Sequence, residues 1–232
     1  MPLFYMDHTM WILIPAILLT MYAQNKIQKE YRIYRQIQAS RGYSGAQVAR
    51  QILNNNGLSD VEIRMSPGQM SDHYDPKMRE VRLSPDVYNG RSLAANAIAA
   101  HEVGHAIQHA KAYFPLTLRT NLVPVVRFAS FASMPIILAG FVFAEFRGLL
   151  DIGILLFCAT VLFQLVTLPV EFDASRRAMS QLAQEGILLE NELAHSKKVL
   201  FAAALTYVAA AATSMLQLMR LIMIRNSHDR RR

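Results

Sequence analysis

The chain has 232 residues, 53% of them hydrophobic, and 24 Lys+Arg against 17 Asp+Glu give a formal net charge of +7. Apolar content this high, gathered in runs, points to a membrane protein rather than one large soluble core. The basic residues are dispersed and flank the apolar runs, which suits anionic lipid headgroups and excludes the clustered footprint of a nucleic-acid binder.

Residues 9–25 ("TMWILIPAILLTMYAQN") carry no charge. At about 1.5 Å per residue they sit near the lower limit for crossing a hydrocarbon core of about 30 Å. No Lys or Arg precedes them, so the basic start of a secretory signal is missing, while Lys26, Lys29, Arg32 and Arg35 follow at once. The pattern predicts an uncleaved anchor over residues 1–25, with its N-terminus outside and the chain cytoplasmic from residue 26.

Residues 26–122 are mixed in character. Ile27, Tyr31, Tyr34 and Ile37 fall at helical spacing, and a second helix is predicted from a cap at Ser44 to a stop at Gly57. Strand-like pieces follow at 61–65, 69–75 and 80–84, with turns at Pro67-Gly68 and Asp75-Pro76. A helix is then expected over about 90–110. Residues 123–144 are apolar apart from Arg127, and residues 149–170 apart from Asp151. With only "EFRG" between them, residues 123–170 read as a helical hairpin across the bilayer. Its second arm holds the one cysteine, Cys158, so neither an intramolecular disulfide nor a cysteine-built zinc site is possible. Residues 171–198 read as a polar cytoplasmic helix that begins just past Pro169. Residues 199–224 read as a fourth membrane helix, followed by a basic tail over 225–232. A crossing there would put the Arg-rich tail outside, against the positive-inside rule; the alternative is a half-inserted helix with the tail still cytoplasmic.

The chemistry is concentrated in "AANAIAAHEVGHAIQHA", residues 94–110. His101-Glu102-x-x-His105 is an H-E-x-x-H pattern on an alanine-rich helix. One turn separates the two histidines, so both imidazoles share a face and can bind one Zn²⁺. Glu102 lies beside that face, where it can take a proton from the attacking water, whose pKa zinc lowers toward about 7. Gly104 leaves room for close packing against the helix. The bland alternative is a pair of packed core histidines. The expected architecture is thus predominantly α, with about four transmembrane helices and a small α+β zincin-like unit containing a short sheet and the motif helix.

A catalytic zinc takes three protein ligands and keeps one position open. His109 continues the row from His101 and His105, but it lies about 12 Å from His101 along the helix axis. That is too far for two imidazoles on one ion, so His109 reads as a supporting residue behind the site. Glu171, in "LPVEFDASRRA", is the better third ligand. It stands where the third apolar run ends, on the side of the membrane expected for His101 and His105. Asp173 is the runner-up, and as a non-ligand it could orient one of the histidines. Arg176 and Arg177 form a solvated face, or one of them pairs with Asp173. Before the motif, "EVRLS" reads as an edge strand that could pair with an extended substrate backbone. His73 and Tyr74 in "DHYDP" are candidates for stabilising a developing oxyanion. The bland reading of that stretch is a hairpin whose Asp75-Pro76 turn only sets register.

"SDHYDPKMREVRLSPDVYNGRSLAANAIAAHEVGHAIQHA", followed far downstream by "PVEFDASRRA", resembles the YugP-type neutral zinc metallopeptidases of bacterial membranes. The resemblance extends over nearly the whole chain. It implies zinc ligands at His101, His105 and Glu171, a general base at Glu102, and a place in the bacterial cytoplasmic membrane. A looser similarity runs to the HtpX-like and CAAX prenyl proteases, which follow H-E-x-x-H with membrane spans and a Glu-x-x-Ala-Asp block. Ser175 stands where that block has its aspartate, and Asp173 is the available substitute.

The expected function is a membrane zinc endopeptidase with its site facing the cytoplasm, acting on peptide or protein substrates that include membrane proteins. The rival from another class is a non-catalytic membrane adaptor that keeps a structural zinc. Such a protein would have no use for Glu102 as a base.

Overall fold

In the computed structural model, the described residues are 8–143 and 146–230. The start of the expected anchor, part of the "EFRG" link and the last two residues of the basic tail lie outside them. A 3-10 helix at His8–Leu13 runs into α1 (Ile14–Tyr34), followed by α2 (Gly45–Asn55), β1 (Glu62–Met65), β2 (His73–Asp75), β3 (Glu80–Leu83), α3 (Pro85–Tyr88) and α4 (Leu93–Ala110). Three long helices complete the chain: α5 (Phe114–Val142), α6 (Arg147–Gln184) and α7 (Glu190–Arg230).

Among the described residues, three helices are long and apolar enough to cross a membrane, over Phe114–Val142, Gly148–Gln184 and Glu190–Ser227. The protein is therefore a mostly helical membrane protein with a small sheet. α1 is not among the three. Its apolar stretch gives way to Lys26, Lys29 and Glu30 within the same helix.

Contacts divide the chain into two units. The first takes residues up to 22, 118–167 and from 207 onward. Within it Thr20 and Thr213 share a hydroxyl bond at 3.3 Å, Arg220 donates to Thr9 at 3.2 Å, and Arg225 donates to Asp151 at 2.9 Å. Gly140 lets its helix approach the backbone of Leu150, and Ile137, Leu150 and Leu221 are buried together. Phe128, Phe131 and Leu155 are exposed on these helices, as side chains that meet lipid would be.

The second unit takes residues 23–117 and 168–206. Its core gathers Val48, Ile52 and Leu53 of α2, Val81 and Leu83 of β3, the alanines of α4, Leu182 of α6 and Val199 of α7. α4 is enclosed on nearly every side, which explains its composition, since small side chains let neighbours pack all around a helix. Ser92 caps it by accepting from the Ala95 backbone N–H. α2 opens on a full capping box between Ser44 and Gln47, and the left-handed Gly57 follows its end.

The three expected strands form one sheet in the order β1-β3-β2, with β1 parallel and β2 antiparallel to β3. Tyr74 faces Val81 and His73 faces Arg82. The expectation that "EVRLS" is an edge strand is therefore corrected. β3 is central, its backbone is paired on both sides, and the edges fall to β1 and β2. The physical reason is burial: Val81 and Leu83 are fully buried and belong in the middle of a sheet, whereas β2 is half exposed. The Asp75-Pro76 turn is held by Asp75 accepting from the Lys77 and Met78 backbone N–H groups.

A second difference concerns Pro169. No new helix starts at Glu171, because α6 runs unbroken from Arg147 to Gln184 with Pro169 inside it. Residues 171–198 are instead the end of α6, a turn, and the first residues of α7.

Candidate metal centre

α4 and α6 build the centre. His101 and His105 lie one turn apart on α4, with ring centroids 4.8 Å apart and nearly perpendicular planes. Glu171 reaches them from α6, its Oε2 lying 3.3 Å from His101 Nε2 and 3.7 Å from His105 Nε2. The ligand atoms of the three residues all fall within 4.8 Å of one another. Glu171 is only 2% exposed, so a carboxylate is buried against two imidazoles. A carboxylate in such a place requires a positive partner.

Glu102 is also buried, and burial pushes its carboxyl above the ordinary carboxylate range; nearby His101 and His105 oppose that shift, while Glu171 and Asp72 reinforce it. Burial disfavours charge on His105, but the Glu171 and Glu102 carboxylates outweigh it and raise its pKa. The local field thus favours a cation between these groups. Two imidazole nitrogens and one carboxylate oxygen are a donor set that zinc accepts, with a fourth position left for water or substrate.

The outward nitrogens are also bonded. His101 Nδ1 meets the Ser175 hydroxyl at 3.2 Å. His105 Nδ1 meets Gln108 Oε1 at 3.0 Å, and the Gln108 amide donates to Asp173 Oδ2 at 2.9 Å and to the Val170 carbonyl at 2.8 Å. Asp173 is paired in turn with Arg176 and with Arg177, the latter at 2.6 Å. Asp173 therefore lies behind the cluster, reaching His105 through Gln108, and both arginines hold it.

His109 is exposed and stands away from the cluster; its Nδ1 meets the Tyr74 hydroxyl at 2.9 Å. His73, exposed on β2, bonds the Ser71 carbonyl through Nδ1. The structure thus brings His101, His105 and Glu171 together, sets Asp173 and Arg176 behind them, and ties Tyr74 to His109. Sequence reasoning passed over Gln108. The signal was there, three residues past His105 in a helix of small residues, but an amide has no motif to mark it. Ser175 was noted only as a departure from a pattern, whereas its hydroxyl occupies the position beside His101.

Residues 9–226 match the family described as "Putative neutral zinc metallopeptidase", and the chain belongs to that family. Zinc is the cofactor this membership implies, and the His/His/Glu set fits it. The chain is also 47% identical, over 92% of its own length and 95% of the relative's, to the "Putative membrane protease YugP" of Bacillus subtilis (strain 168). No solved structure matches it.

Proposed function

We propose that the protein is a membrane-embedded zinc endopeptidase, with His101, His105 and Glu171 as metal ligands and Glu102 as general base. The observation that carries this reading is the convergence of the three ligand atoms within 4.8 Å beside a buried Glu102. Zinc bound there would polarise the scissile carbonyl and lower the pKa of the attacking water. Glu102 takes a proton from that water and returns it to the leaving amine, cycling between its two protonation states. Its raised pKa supports the first half of that cycle, because a carboxylate that holds a proton more readily is a better base toward the water.

Ser175 and Gln108 hold the two imidazoles, and Asp173 anchors Gln108 with help from Arg176 and Arg177. Tyr74, paired with His109, and His73 sit on β2, an edge of the sheet packed beside α4. An extended substrate adding to that edge would run past α4, and Tyr74 would then be the donor available to a developing oxyanion.

The proposed setting is the bacterial cytoplasmic membrane, with four crossings that include α1 and the site on the cytoplasmic side. Lys26, Lys29, Arg32 and Arg35 directly after the first apolar run support that orientation. Substrates in this reading are loops, tails or misfolded segments of membrane and membrane-proximal proteins. The test is casein hydrolysis by the detergent-purified chain beside its Glu102→Gln variant at matched zinc content. Cleavage by the parent alone supports the assignment; equal cleavage by both sinks it.

A further inference from the structure

Gln108 is fully buried and engages three partners at once. Two of them, the Val170 carbonyl and the Asp173 carboxylate, can only accept hydrogen bonds. The amide nitrogen must therefore face them. Turned over, the side chain would set its oxygen against two other oxygens and leave all three unpaired in the interior. Asp173 cannot swing away to relieve this, because Arg176 and Arg177 both hold it. The amide oxygen is thereby committed to His105, and an oxygen accepts.

His105 Nδ1 must then carry the proton, and the lone pair of the neutral ring sits on Nε2. Nε2 is the nitrogen that faces Glu171. Free histidine in water favours the opposite tautomer, so it is the Gln108 contact that would select Nδ1–H. The second imidazole differs. His101 Nδ1 meets a serine hydroxyl, which can donate or accept and imposes no choice. The Gln108 bond to Val170 also ties α4 to the residue directly before Glu171 on α6.

We propose that Gln108 is a positioning residue of the metal centre. It locks His105 as the Nδ1–H tautomer before any metal arrives and holds the α4 ligand pair against the Glu171 turn of α6. The consequence for metal rests on reading His101, His105 and Glu171 as the zinc ligands; the tautomer itself is a property of the metal-free chain.

The test uses the full chain in detergent with ¹⁵N-labelled histidine, stripped of metal and held at a pH where the imidazoles are neutral. Long-range ¹H–¹⁵N correlation reads which nitrogen of each ring is protonated, and the spectrum of His105→Ala assigns His105. His105 should show a protonated Nδ1 and a bare Nε2. Gln108→Leu should shift it toward the Nε2–H form and weaken zinc binding tenfold to hundredfold, measured by competition with a chromophoric chelator. Ser175→Ala should leave the His105 pattern as it is. A parent spectrum with His105 protonated at Nε2 overturns the proposal without any variant, which covers the case in which Gln108→Leu does not fold. Zinc affinity within twofold of the parent in Gln108→Leu overturns it as well. Zinc binding that survives His101→Ala and Glu171→Ala would overturn the reading of the cluster as the metal centre, a separate result from the tautomer of His105.

Discussion

A Cβ built on Gly104 would lie 2.6 Å from the backbone carbonyl oxygen of Ala174. Gly104 sits between His101 and His105 on α4, and Ala174 is three residues past Glu171 on α6. The missing side chain therefore sets the separation between the two helices that carry the candidate ligands. Gly104→Ala should push them apart and cost about 1–3 kcal/mol of stability, as overpacking of a close contact does. Thermal unfolding beside a zinc titration checks it; a variant with parental melting and parental zinc affinity would mean the contact has slack.

Glu102→Gln should keep zinc and lose turnover. The amide fits the same space but cannot shuttle a proton, and loss of a general base costs roughly 10²–10⁴ in rate. Casein hydrolysis and metal content, measured on the same preparation, separate this outcome from loss of the site.

Glu171→Ala should lower the zinc content of the purified chain sharply, and chelation of the parent should stop hydrolysis until zinc is restored. Asp173→Ala should be milder, since Asp173 reaches His105 only through Gln108, with affinity down about tenfold. Equal losses from the two variants, read by atomic absorption and chelator competition, would speak against Glu171 as the ligand.

Asp72 offers a pH prediction. Burial raises its pKa above the ordinary 3.8, although it accepts from the Ser84 backbone N–H and hydroxyl and His73 lies nearby. The folded chain thus binds a proton in a window just above pH 3.8 that the unfolded chain has released. Stability must fall as pH rises through that window, and the cost is complete above the raised folded value. Asp72→Asn keeps an acceptor for Ser84 without the charge. It should be at least as stable as the parent at pH 7, with the advantage shrinking as pH falls toward 3.8. Denaturant unfolding at several pH values would refute this if the variant were weaker by one constant margin throughout.

Much of the local structure was legible without coordinates. Ser44 before α2, Gly57 after it, and the three strand-like pieces each declare themselves within a few residues, because caps, turns and alternation are short-range chemistry. The order of the strands was not legible. β1 passes over its neighbour in sequence to pair in parallel with β3, and only burial of Val81 and Leu83 against the α2–α4 core puts that strand in the middle. Pro169 misled for a related reason. A proline removes one backbone donor and so reads as a boundary, but a long helix supported along its length tolerates the loss.

The same division runs through the candidate site. By itself the sequence determined that His101 and His105 share a face with Glu102 beside them, because 3.6 residues per turn leaves no other arrangement once the segment is helical. It also singled out Glu171, as an acid at the end of an apolar run. Only the tertiary structure decided that Glu171 lies 3.3 Å from His101, and that Gln108, Asp173 and Ser175 brace the outward nitrogens. Apart from the His105–Gln108 bond within α4, those contacts join residues some 65 to 74 positions apart in the chain. They exist because Gly104 lets α4 rest on the backbone of α6, and no local rule sets the register between two helices that are remote in sequence.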